Sequence, residues 1–134
     1  MQAAAAARIA GKPDILTATA NGNLELVEDH IIANPASIHV CDGDGRSPIF
    51  IAAREGHADC LKLLLAAGGD VNKCINDGTS PIFIAAQNGH ADCLKLLLGA
   101  GADPRSRFNG TSALDKAREK GHTECVRALE AALS

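Results

Sequence analysis

A chain of 134 residues, 46% of them hydrophobic, suits one compact domain or a short repeat array and is too apolar for a disordered segment. Three Phe, with no Trp or Tyr, argue against a β-sandwich or β-barrel, whose strands favour aromatic and β-branched residues. A net charge of −3 has the wrong sign for gripping nucleic-acid phosphates, and no apolar run approaches the roughly 20 residues of a membrane-spanning helix.

The first eleven residues, MQAAAAARIAG, are expected to form a flexible, frayed or weakly helical tail. No charged stretch precedes an apolar one, so they do not read as a secretory signal. The lack of acids before Asp14 is the one trait shared with a transit peptide. A degenerate unit follows, with Gly22 as a landmark and Leu24–Ile31 as its apolar run.

From residue 44 the chain repeats itself. A shift of 33 aligns Asp44–Asp70 with Asp77–Asp103, and 22 of those 27 positions are identical. SPIFIAA occurs at Ser47–Ala53 and Ser80–Ala86; GHADCLKLLL occurs at Gly56–Leu65 and Gly89–Leu98. A weaker copy follows at a shift of 32, with NGTSAL at Asn109–Leu114 and GHTEC at Gly121–Cys125.

Each copy predicts two short helices. Ser47 and Ser80 suit the N-cap, with Pro48 and Pro81 in the first helical position, where a missing N–H costs nothing. Gly56, Gly89 and Gly121 suit the left-handed stop. The second helix opens on an acid (Asp59, Asp92, Glu124), which complements the helix dipole. Its leucines crowd nearly all sides, so it must be covered on more than one face. A polar, glycine-rich connection such as Gly69–Gly78 follows. One unit cannot bury these faces alone, but stacked neighbours can.

These motifs resemble those of the ankyrin-repeat family: D-x-x-G-x-T-P-L-H-x-A-A-x-x-G-H, a leucine-rich helix, then G-A-D-V-N. Here they stand as GTSPIFIAAQNGH at Gly78–His90, LKLLL at Leu94–Leu98 and GADP at Gly101–Pro104. The resemblance covers about residues 12–134. It implies an all-α solenoid of stacked helix-turn-helix units with hairpin-like connections. Four repeats are expected, at about 12–43, 44–76, 77–108 and 109–134, the outer two as caps and the array complete at Ser134. Three departures stand out. The family's Thr is Ser47 and Ser80; its His is Phe50 and Phe83; its hairpin Asp is kept at Asp42 and becomes Ile75 in the next repeat.

His-x-x-Cys occurs three times, at His57/Cys60, His90/Cys93 and His122/Cys125, and is the one pattern with metal-ligand or nucleophile chemistry. In the family the His serves the loop and helix start, and the Cys sits at a core-facing position. Equivalent residues of stacked helices lie roughly 10 Å apart, too far to converge on one zinc or to form disulfides. No catalytic residue, metal or cofactor is therefore expected. A thiol- or zinc-dependent site on these pairs and on the hairpin cysteines Cys41 and Cys74 is the alternative. Five Cys is an odd number and fits a reducing cytoplasm or nucleus. Asp42-Gly43-Asp44-Gly45 lacks the later bidentate Glu of a calcium loop and predicts a tight turn.

Positions that differ between the two near-identical repeats are free to serve a partner. The resemblance implies that hairpin tips and first-helix ends line a concave groove for a protein. Along it the first junction offers Asp42, Asp44, Arg46, Arg54 and Glu55. The middle offers Ile75, Asn76, Thr79, Gln87 and Asn88. The last offers Arg107 and Phe108, with Arg105 nearby. Ile75 and Phe108 are the expected exposed apolar anchors, unless Phe108 folds inward over the last repeat. The expected function is a non-catalytic, monomeric protein-binding module whose partner the sequence does not identify.

Overall fold

A computed structural model describes residues 2–134. The helices are α1 (Gln2–Ile9), α2 (Ile15–Ala20), α3 (Leu24–Ala33), α4 (Pro48–Glu55), α5 (Ala58–Ala66), α6 (Pro81–Asn88), α7 (Ala91–Gly99), α8 (Ala113–Lys120) and α9 (Thr123–Leu133). A 3-10 turn (Pro35–His39) follows α3, and two-residue strands β1 (Arg107–Phe108) and β2 (Thr111–Ser112) precede α8.

Local chemistry sets the helix ends. The Ser47 and Ser80 hydroxyls accept from the backbone N–H of Phe50 and Phe83, each at 3.2 Å, with Pro48 and Pro81 opening the helices. Ser112 caps α8 in the same way, accepting from Asp115 N at 3.0 Å. Gly56, Gly89 and Gly121 close α4, α6 and α8 at φ of 78°, 77° and 74°, the left-handed region only Gly enters without strain.

The helices form two layers. First helices α2, α4, α6 and α8 pack side by side, and so do second helices α3, α5, α7 and α9. Ala52, Ala53, Ala85, Ala86, Ala113 and Ala117 are fully buried, and their small side chains let the first helices approach closely. Between the layers lie Ile49, Leu61, Leu64, Ile82, Leu94, Leu97 and Leu129, each 1% exposed or less. Phe50 and Phe83, where the family pattern has His, are also buried and exchange a polar side chain for apolar packing.

The N-terminal stretch, expected as a flexible, frayed or weakly helical tail, is helical over Gln2–Ile9 and packs on α3. Ala5 is fully buried there, and Arg8 Nε donates to Asp29 Oδ1 at 2.8 Å. In repeat register Asp29 stands where Leu63 stands in α5, and Leu63 faces a hollow shared with Leu24 and Glu28 of α3. Thus α1 covers the side of α3 that corresponds to the α3-facing side of α5. The poly-Ala sequence concealed this, because one small buried residue and one ion pair leave no periodic apolar face to read. Replacing Arg8 with Ala leaves the largely buried Asp29 carboxylate unpaired. The expected cost is roughly 1 kcal/mol, confined to α1, and faster amide hydrogen exchange over residues 2–9 is the readout.

The connections keep one geometry despite sequence change. Asp42 N donates to Arg46 O (3.2 Å) and Gly45 N to Asp42 O (3.0 Å). In the next repeat Ile75 N donates to Thr79 O (3.0 Å) and Gly78 N to Ile75 O (2.9 Å). Loss of the Asp at position 75 therefore leaves the backbone turn intact. At the third junction Asn109 (φ 51°) and Gly110 (φ 78°) form a two-residue turn joining β1 to β2, with Phe108 paired to Thr111.

Candidate partner-binding surface

The first hairpin holds its own charges. Asp42 Oδ1 accepts from the backbone N–H of Arg46 (3.0 Å) and of Asp44 (2.9 Å). Arg46 donates through Nε to Asp42 Oδ2 and through a terminal nitrogen to Asp44 Oδ2, both at 2.7 Å. The Arg46 backbone N–H, before any other cause, holds the Asp42 carboxyl below its ordinary range. Asp77 is lowered too, first by the Thr79 hydroxyl and then by the Thr79 backbone N–H. Both carboxylates are depressed in the folded chain, so their stabilisation is full above the ordinary pKa of 3.8 and fades as pH falls below it.

The second hairpin docks on the first. Asn76 N donates to Asp44 O (2.9 Å) and Asn76 Nδ2 to Gly43 O (3.1 Å). Asp44, Arg46, Ile75, Asn76 and Asp77 thereby surround an open hollow of about 280 Å³. A second group forms at the helix ends. Arg54 pairs with Glu55 at 3.2 Å, and Asn88 Nδ2 donates to Arg54 O at 3.0 Å. Arg107 is exposed on β1, and no hydrogen bond or ion pair among the described residues joins it to either group.

Three expected contact residues are more buried than a fully exposed contact would be. Thr79 is only 5% exposed, and its hydroxyl donates to Asp77 Oδ1 at 2.7 Å, so it secures the turn rather than facing a partner. Ile75 is half-buried rather than an exposed anchor. Phe108 takes the inward alternative: it is half-buried, edge-on to Phe83 with ring centroids 5.7 Å apart.

The histidines stand at the helix starts, where their carbonyls accept the first helical bonds, and their side chains turn back to the preceding repeat. His57, His90 and His122 precede α5, α7 and α9 without a side-chain cap bond. Instead His57 Nε2 reaches Ala20 O and His122 Nε2 reaches Gln87 O, each at 3.0 Å. Their rings, with that of His90, lie against Gly22, Gly89 and Gly56 of the preceding unit, where an added Cβ would sit under 3 Å away. Sequence comparison within the chain missed these links and those of Asn76 and Asn88. The available signal was the spacing of 33 to 37 residues between the bonded partners.

The thiols divide as their positions imply. Cys60, Cys93 and Cys125 are buried, while Cys41 and Cys74 are exposed on the hairpins. Burial, then Asp92, pushes the Cys93 thiol up to about 11; burial also raises Cys60 and Cys125. A nucleophilic or metal-binding thiolate needs the opposite shift. The folded chain holds the Cys93 proton while the unfolded chain releases it near 9.0, so this group lowers stability as pH rises from about 9 to about 11. Labelling of the native chain with a maleimide is expected to modify Cys41 and Cys74 and spare the other three until unfolding; mass spectrometry counts the adducts.

The same architecture is recognisable by comparison. The family model for ankyrin repeats in three copies matches residues 15–108 and, overlapping, 64–132. The chain belongs to the ankyrin-repeat family. Ankyrin arrays generally mediate protein–protein interaction and are generally non-catalytic. The array is 35% identical over 60 residues to Ankyrin repeat and SAM domain-containing protein 6 of Danio rerio, covering 45% of this chain and 8% of that protein. It is 38% identical over 66 residues to Cortactin-binding protein 2 of Aotus nancymaae and of Gorilla gorilla gorilla, covering 48% of this chain and 4% of theirs. The matched stretch is thus a small part of these relatives. Among the described residues no helix is long and apolar enough to cross a membrane.

Proposed function

We propose that the array is a non-catalytic module that holds a protein partner along its hairpin tips and first-helix ends. One observation carries this reading. Between two repeats identical at 22 of 27 aligned positions, three of the five differences (Arg46/Thr79, Arg54/Gln87 and Glu55/Asn88) fall at the hairpin and the first-helix end, as does the neighbouring hairpin pair Gly43/Asn76. Of these, Glu55, Asn76 and Asn88 are exposed; the other two differences, Ala66/Gly99 and Gly69/Ala102, lie at or just after the end of the second helix. Asp44 and Arg107 extend the same exposed edge to the first and last hairpins. A surface preformed by inter-repeat hydrogen bonds loses little conformational freedom on binding. The five free thiols support work in a reducing compartment, cytoplasm or nucleus. No partner is carried over from the relatives, because the match spans so little of them.

The test is affinity capture from source lysate with mass spectrometry. Wild type is compared with a variant carrying Asp44→Ala, Glu55→Ala and Arg107→Ala, three exposed residues whose loss leaves the core untouched. A protein held by wild type and released by the variant is the expected result. Equal capture by both moves the interface elsewhere and sinks the hairpin reading.

A further inference from the structure

The outward face of α5, α7 and α9 carries two rows of opposite charge. Asp59, Asp92 and Glu124 stand in the first turns; Lys62, Lys95 and Arg127 stand three residues later, on the same helix faces. All six are exposed. Asp59, Lys62, Asp92 and Lys95 surround one open hollow of about 380 Å³, with Ala58 and Leu96 completing its lining. The neighbouring hollow, about 350 Å³, is lined by the apolar Leu24, Leu63 and Ala66 together with Glu28, Asp59 and Lys62.

At the C-terminal end the rows neutralise each other: Glu124 pairs with Arg127 at 3.1 Å and with Lys95 at 3.9 Å. In the centre they do not. Among the described residues Asp59, Lys62 and Asp92 make no ion pair. Exposed charges of both signs, held in parallel rows at the repeat spacing and with Asp59, Lys62 and Asp92 unpaired, match a surface with the same period and the rows exchanged.

We propose that this face binds a second copy of this chain, helix antiparallel on helix, in a weak symmetric dimer. A two-fold axis parallel to the rows turns the acid row of one copy onto the basic row of the other. Asp59 then faces Lys62 of the second copy and Asp92 faces its Lys95, while Leu63 and Leu96 cover the facing hollows. Such an interface is isologous and closes at two copies. In α3 the basic position is taken by Glu28, so both rows are acidic there and the contact begins at α5. Three helices about 14 Å long and about 10 Å apart offer on the order of 900 Å² in total, below the roughly 1,200 Å² of stable complexes. The dimer is therefore transient, and the chain is monomeric when dilute. It uses a different layer from the hairpin tips, so it stands or falls independently of the proposed function.

Sedimentation velocity on the full chain, from micromolar to millimolar concentration and at low and high salt, tests the proposal. The wild type is expected to shift towards dimer at high concentration, and high salt is expected to weaken that shift. Lys62→Glu with Lys95→Glu makes both rows acidic; Asp59→Lys with Asp92→Lys makes both basic. Each variant alone is expected to lose the dimer, and an equimolar mixture is expected to restore it as a heterodimer. Circular dichroism checks that these exposed substitutions leave the fold intact. A wild type that stays monomeric at millimolar concentration overturns the proposal. So does a variant that self-associates as the wild type does, or a mixture that fails to pair.

Discussion

Replacing Gly89 with Ala is expected to lower stability by about 2–4 kcal/mol, whereas Gly121→Ala costs only about 1 kcal/mol. Both glycines close a first helix in the left-handed region, at φ of 77° and 74°, so the backbone strain of a Cβ is the same. The difference lies in what the Cβ meets. At Gly121 it meets nothing within 4 Å; at Gly89 it would lie 2.6 Å from Nδ1 of His122. That ring cannot retreat without releasing the 3.0 Å bond from His122 Nε2 to Gln87 O, which joins the third repeat to the fourth. Urea denaturation followed by circular dichroism measures both variants. Equal losses would show that the histidine ring yields freely and that its bond contributes little.

Phe83→Ala is expected to cost about 3–5 kcal/mol, since it removes a ring that is 1% exposed and leaves a cavity between α6 and its neighbours. Phe108→Ala removes a half-buried ring at the edge of the same cluster, and its expected cost is about 1–2 kcal/mol. The edge-on geometry, 5.7 Å between centroids and 62° between planes, predicts a coupling of about 0.5–1.5 kcal/mol in a double-mutant cycle. Zero coupling would return Phe108 to the solvent-facing role first expected for it. Because the damage is concentrated where α6 meets α8, unfolding of Phe83→Ala is expected to broaden, with the C-terminal repeats melting first.

The helical layers were legible because capping and stopping are local chemistry. Ser before Pro, and Gly eight residues after that Pro, fix α4 and α6 whatever surrounds them. The leucine runs showed that both faces of the second helices need cover. The links between repeats were not legible in that way. Asn76 and Asn88 differ between the repeats, which reads as freedom to bind; in the fold both are exposed, yet each amide also donates to a carbonyl of the preceding repeat. Thr79 likewise differs from Arg46 yet is buried against Asp77. The position of Phe108 turned on a one-residue deletion that no periodic argument resolves. The docking of α1 escaped because it rests on a single ion pair and one buried alanine.

Near-identity of the second and third repeats carries a folding hazard. A chain with two interchangeable units can assemble out of order, with α6 docked where α4 belongs. The side chains of Asn76 and Asn88 donate to the backbone carbonyls of Gly43 and Arg54 across the native junction. One period earlier the corresponding positions are Gly43 and Glu55, neither of which carries an amide side chain to donate, so this pair of bonds distinguishes the two otherwise similar units. Two of the positions at which the twin repeats diverge thus also tie each unit to the one before it, and the exposed edge is held rigid by the very residues that set the twins apart.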